Sequence, residues 1–301
     1  MTILSNKVRQ ILNYYDNENL GVKTSLARIL MHGKLGGTGK LLIFPVDQGF
    51  EHGPVKSFEV NQDAYDPNYH FQLALDSDVS AYAAPLGMIE AGISSYDGIL
   101  PLILKLNSFN SLHLKSLTPD QAITASVKDA LRLGCTGIGF TIYPGSAKCF
   151  DMIEEAREII AEAKSYGLVV VLWSYPRGEG ISKEFETAVD VVSYAAHIAA
   201  LLGATIIKVK LPTNQLMKEK VEIENIELLS RRISFIKKSC FAGRRIVVFS
   251  GGNSKSINDI YNDIKEIKKG GGDGSIIGRN TFQRKREEAL SMLKDIMHIY
   301  S

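Results

Sequence analysis

A chain of 301 residues with 45% hydrophobic and 23% charged content has the make-up of an ordinary soluble globular protein, with enough apolar material for a large core. The formal net charge of +2 gives no reason to expect nucleic acid or an anionic membrane as a partner, though it allows local positive patches. Cys135, Cys149 and Cys240 are odd in number and far apart, so a disulfide framework and a zinc finger are both disfavoured and a reducing, cytoplasmic setting is expected.

Residues 1–20 hold no apolar run of secretory length, and no segment reaches the ~20 apolar residues of a membrane span. The segment TSLARILMH at 24–32 reads as a helix placed to plug the bottom of whatever follows. GKLGGTGK at 33–40 then leads into a strand rather than a helix, which does not match the GxxxxGK[ST] phosphate loop. Short apolar runs follow at 41–46 (LLIFPV), 79–86 (VSAYAAPL), 101–107 (PLILKLN), 137–143 (GIGFTIY), 168–175 (LVVVLWSY), 205–211 (TIIKVKL), 245–250 (RIVVFS) and 274–278 (GSIIG). Several are apolar on both faces, as strands buried in a parallel sheet are.

Helical patterns separate the later runs: 152–167, stopping at Gly167, then 187–202 and 223–237. Another begins at Asn253, and 284–300 closes the chain. The interval 87–100 leaves little room for a long helix. Eight β-loop-α units read as a closed (β/α)₈ TIM barrel rather than an open doubly wound sheet. The expected organisation is a helical extension over 1–40 capping a single barrel domain over 41–301.

Such a barrel carries its chemistry at the C-terminal ends of the strands. Strand one ends at Asp47, with His52 close behind; strand three carries Lys105; strand five ends in Trp173 and Tyr175. Lys208 and Lys210 sit in the apolar sixth strand, where residues i and i+2 share a face about 6.6 Å apart. Two buried ammonium groups under a helix would be costly, so inward projection is expected. At an effective dielectric of about 20 the pair repels by about 2.5 kcal/mol, which would favour a neutral, nucleophilic amine. The alternative is that both lysines bind phosphate or reach solvent, with Lys105 as a rival amine. Tyr175 and Asp47 could carry protons, or could be a rim residue and a turn residue.

Ser250-Gly251-Gly252 after strand seven and Gly278-Arg279 after strand eight resemble a phosphate cradle: glycines let backbone N–H groups approach an anion, and Arg279 supplies a bidentate charge.

Together these segments resemble a known family. VDQGFEHGP at 46–54 is similar to the signature of the archaeal-type class I fructose-1,6-bisphosphate aldolases. YPRG at 175–178, the strand-six lysine, SGG at 250–252 and IIGRNTF at 276–282 follow in the family's order. The resemblance implies that Lys208 forms a Schiff base with the ketone of fructose 1,6-bisphosphate, with Tyr175 as general acid/base and Asp47 assisting at carbonyl and hydroxyl. It implies that His52 and Trp173 line the substrate site and that Ser250, Gly251, Gly252, Gly278 and Arg279 hold the phosphate nearest the ketone. Lys210 is a further candidate for substrate phosphate. No cofactor and no metal are implied; of the six histidines, only His52 lies at a strand end. A homo-oligomer is implied as well. Gln48 replaces the histidine of some members, and Leu211-Pro212-Thr213 stands where several have Tyr-Thr-Gly. Another ketose phosphate as substrate, a Schiff-base transferase or a non-catalytic sugar-phosphate binder are the alternatives.

Overall fold

The strand register closes on itself. In the computed structural model, which describes residues 4–92, 98–112, 118–218, 221–251 and 255–301, ten strands form. They are β1 (Leu41–Pro45), β2 (Ala81–Pro85), β3 (Leu102–Lys105), β4 (Asn107–Ser108), β5 (Ala122–Ile123), β6 (Gly137–Ile142), β7 (Val169–Ser174), β8 (Ile206–Val209), β9 (Ile246–Ser250) and β10 (Gly274–Ile276). Eight of them pair in parallel in the order β1-β10-β9-β8-β7-β6-β3-β2, with β2 returning to β1, which is the closed barrel expected. β4 and β5 form a separate antiparallel pair. The sequence reading had no such ribbon, because two-residue strands are too short to show a period.

The two-residue period of the strands divides the core in two. Ile207 and Val209 of β8 face outward with Val170 and Leu172 of β7, into the layer beneath the helices. Ile206, Val169, Val171, Trp173 and Val248 face inward. That inner cluster continues into Val8, Ile11, Leu12, Leu26, Ile29 and Leu30 of helices Asn6–Asn13 and Leu20–Met31, which plug the barrel at the start of the strands. The expected helix at 24–32 is thus part of a longer one, and Asn6–Asn13 was not anticipated. Tyr15 seals the plug: its hydroxyl donates to Thr205 O at 2.7 Å and accepts from Ile246 N at 3.0 Å.

The helix between β2 and β3 is short, as expected, and a later one starts beyond its expected position. Only Leu86–Gly92 is described between β2 and β3. The helix after β8 spans Leu229–Ser239 rather than 223–237, because 224–228 are spent in turns, with Asn225 at a positive φ of 55°. The helix after β9 runs Ile257–Lys269, where the Ser256 hydroxyl caps Asp259 N; the expected start at Asn253 lies outside the described residues. No helix among the described residues is long and apolar enough to cross a membrane.

Candidate active site

Parallel register sets the floor of the site. Trp173 of β7 lies opposite Lys208 of β8, and Lys105 of β3 lies opposite Gly139 of β6. Glycine is required at 139, since a Cβ there would stand 2.3 Å from the Trp173 ring. The indole fills that gap and supports two ammonium groups, with Lys208 Nζ 5.1 Å and Lys105 Nζ 5.7 Å from the ring centroid. Trp173 is 1% exposed and does not line the cavity above. The expectation that it lines the substrate site is therefore corrected: it packs beneath the two amines.

The two lysines differ in their partners. Lys105 Nζ donates to Asn107 O and, at 2.9 Å, to Asn107 Oδ1, while Asn107 is held by Thr141 through both its amide atoms. Lys208 makes no hydrogen bond or ion pair among the described residues. Burial lowers both amines to about 8 from the ordinary value near 10.5, and the negative charge of Asp47 acts against that in each case.

The origin of the Lys208 shift differs from the sequence argument. Lys210 lies one residue beyond β8, and its Nζ is 2.7 Å from Glu186 Oε2, so its charge is spent locally. Burial dominates at Lys208, and the charges acting on it are Asp47, Glu51 and Arg279 rather than Lys210.

Tyr175 follows β7 and its ring stands near both amines, 5.7 Å from Lys208 Nζ and 5.8 Å from Lys210 Nζ. Burial, reinforced by Asp47 and Glu51, pushes its phenol well above the usual tyrosine value, so it rests protonated. Asp47 opens the short helix Gln48–His52, and both Asp47 and His52 line the cavity. Burial lowers the His52 pKa despite the neighbouring Glu51, which favours the neutral imidazole.

The cavity above these groups has a volume of about 640 Å³. It brings together Asp47, His52, Tyr175, Lys208, Lys210, Ser250, Gly251, Gly278 and Arg279 of the sequence-derived candidates. Gly252 lies outside the described residues. Eight lysine and arginine side chains line the cavity against three carboxylates, a balance that favours an anionic ligand. Asn280 joins the two glycine-bearing loops: its Oδ1 accepts from Lys255 N at 2.9 Å and its Nδ2 donates to Gly251 O at 3.4 Å.

Several wall residues have no role assigned from the sequence, although Glu51 and Arg177 lie in the segments after strand ends. Glu51, Arg177, Tyr143 and Gln121 form a chain across the mouth: Arg177 Nη1 is 3.3 Å from both Glu51 Oε1 and the Tyr143 hydroxyl, to which Gln121 Nε2 also donates. Glu51 and Arg177 each sit in a segment already singled out, EHGP and YPRG, and that adjacency was the available signal. Gln121 precedes the unforeseen β5 and had none.

Comparison with known proteins places this assembly in context. Residues 41–284 match a family model described as DeoC/LacD family aldolase. The chain is 36% identical over 252 residues to a fructose-bisphosphate aldolase class 1 of Halobacterium salinarum, covering 83% of this chain and 87% of that one. It is 31% identical over 271 residues to a fructose-bisphosphate aldolase/6-deoxy-5-ketofructose 1-phosphate synthase of Methanocaldococcus jannaschii, covering 87% and 82%. A solved archaeal fructose-1,6-bisphosphate aldolase, with its catalytic lysine covalently bound to the carbinolamine intermediate, superposes with a TM-score of 0.75 at 33% identity, covering 87% of this chain and 95% of that one.

Proposed function

This chain belongs to the DeoC/LacD aldolase family, and from that premise we propose that it is a class I fructose-bisphosphate aldolase that cleaves fructose 1,6-bisphosphate reversibly through a Schiff base on Lys208. The observation that carries the assignment of the nucleophile is the contrast between the two floor amines. Both are buried and lowered to about 8, but Lys105 is tied to Asn107, whereas Lys208 has no hydrogen bond or ion pair among the described residues and is free to attack once it loses its proton.

The site's electrostatics order the steps. Neutral Lys208 attacks the C2 ketone, and proton transfer from its nitrogen to the oxygen gives a carbinolamine. Tyr175, resting as a phenol, donates its proton as the C2 hydroxyl leaves as water, which forms the iminium and a phenolate. The phenolate takes the C4 hydroxyl proton; the C3–C4 bond breaks, and its electron pair flows into the iminium to give an enamine. Glyceraldehyde 3-phosphate departs. Protonation at C3 and hydrolysis then release dihydroxyacetone phosphate and the free amine. Asp47, whose charge favours the cationic form of Lys208, favours the iminium for the same reason.

The loops after β9 and β10, with Arg279, would hold the phosphate next to the ketone, and the remaining cations of the wall suit the second phosphate. Lys210, paired with Glu186, belongs to that wall rather than to amine activation. A metal-independent reaction on a sugar phosphate, in a cytoplasmic homo-oligomer, completes the proposal. Turnover of fructose 1,6-bisphosphate should persist in EDTA and be lost on borohydride treatment with dihydroxyacetone phosphate. Loss of turnover in EDTA alone would overturn the reading.

A further inference from the structure

We propose that Gln48 sets the donor specificity of the site, its side-chain amide recognising the free hydroxyl of the ketone donor, the C3 hydroxyl of the bisphosphate. The inference rests on the aldolase reading above and adds a residue to it. Gln48 follows Asp47 and lines the cavity. Its Oε1 is buried with no partner, and among the described residues no hydrogen bond engages either amide atom. An unpaired buried acceptor is costly, so its retention calls for a donor supplied from elsewhere.

Its surroundings say which donor. The amide lies against the backbone of Gly278: a Cβ built there would stand 2.9 Å from Gln48 Nε2 and 3.1 Å from Oε1. Only glycine leaves room for both the loop and the amide. Gln48 therefore sits between Asp47, whose charge reaches Lys208, and the loop proposed to hold the phosphate. With C1 phosphate at that loop and C2 at Lys208, the one free hydroxyl on the donor half is that of C3. A phosphate dianion has no hydrogen to give, whereas a hydroxyl does.

Rotation about the last side-chain torsion, which is broad for an amide, turns Oε1 toward the cavity without breaking a bond to the described protein. Gln121 is a contrast. Its Oε1 is also buried and unpartnered, but its Nε2 is anchored on the Tyr143 hydroxyl, so its amide is already oriented.

The test measures the concentration dependence of borohydride trapping at Lys208 with dihydroxyacetone phosphate and with hydroxyacetone phosphate, which lacks the hydroxyl. The wild type should favour the hydroxylated ketone by at least about tenfold. Gln48→Leu should weaken dihydroxyacetone phosphate by about tenfold or more and leave hydroxyacetone phosphate within about twofold, collapsing the preference. Gln48→Glu, which keeps shape and acceptor, should retain the preference while weakening both phosphorylated ketones through its charge; it carries the test should the leucine variant not fold. Equal weakening of both ketones by Gln48→Leu, or a preference lost in Gln48→Glu, would overturn the assignment. A wild type labelled by neither ketone would instead remove the aldolase reading, and this inference with it.

Discussion

Two buried lysines, one at each end of the barrel, are handled in opposite ways. At the closed end Lys237 donates to Gly243 O, Arg245 O and, at 2.5 Å, to Asp273 Oδ2, which also accepts from Val247 N. Tyr15 there satisfies its hydroxyl twice. At the open end Lys208 has no hydrogen bond or ion pair among the described residues, and Gln48, Gln121 and Trp173 each keep a buried polar atom without a partner there. Saturated groups at one end hold the fold. At the other end Lys208, Gln48 and Gln121 line the cavity and are available to a ligand, whereas the Trp173 indole N–H lies beneath it.

Four experiments break or sharpen that contrast. Lys237→Met strands the Asp273 carboxylate and should destabilise the fold by about 3–5 kcal/mol, read from the denaturant midpoint. A loss under about 1 kcal/mol would mean the closed end is not where stability resides. Tyr175→Phe keeps the ring and removes the hydroxyl, so turnover should fall roughly 100- to 1000-fold with little change in stability. Wild-type turnover in that variant would take Tyr175 out of the proton path.

Lys208→Met should do the reverse of the closed-end substitution and stabilise the protein at pH 7 by about 2 kcal/mol. The sign follows from the folded amine at about 8 lying below its unfolded value near 10.5. Below pH 8 both states are protonated and the buried ammonium exacts its full penalty. Between pH 8 and 10.5 the folded state sheds its proton first and the penalty fades, so the variant's advantage should shrink across that window. Denaturation curves at pH 7 and pH 10.5 check this. The smallest effect is kinetic: Schiff-base formation should climb up to about tenfold per pH unit below pH 8 and then level off. A rate flat from pH 6 to 8 would mean Lys208 is neutral throughout.

Much of this was legible in the sequence because it rests on alternation and on strand ends. The eight apolar runs, the inward direction of Lys208 and its closeness to Tyr175 follow from period two and parallel register. Three-dimensional proximity across the barrel was less legible. Asn107 neutralises Lys105 as a rival only through its own bonds to Thr141, on a different strand. Glu186, 24 residues from Lys210, removes the repulsion that spacing alone suggested. Trp173 is drawn beneath the amines by the absence of a side chain at Gly139, a steric fact carried by another strand. The helix onset at Leu229 was displaced by the turns at 224–228, whose conformation has no periodic signature.

The central claim is that Lys208 is the amine that bonds to the ketone. Mass spectrometry after borohydride reduction with dihydroxyacetone phosphate, followed by peptide mapping, reads it directly. The adduct should lie on Lys208 alone and vanish in Lys208→Met. An adduct mapped to Lys105 or Lys210, or one that survives in Lys208→Met, would contradict the account.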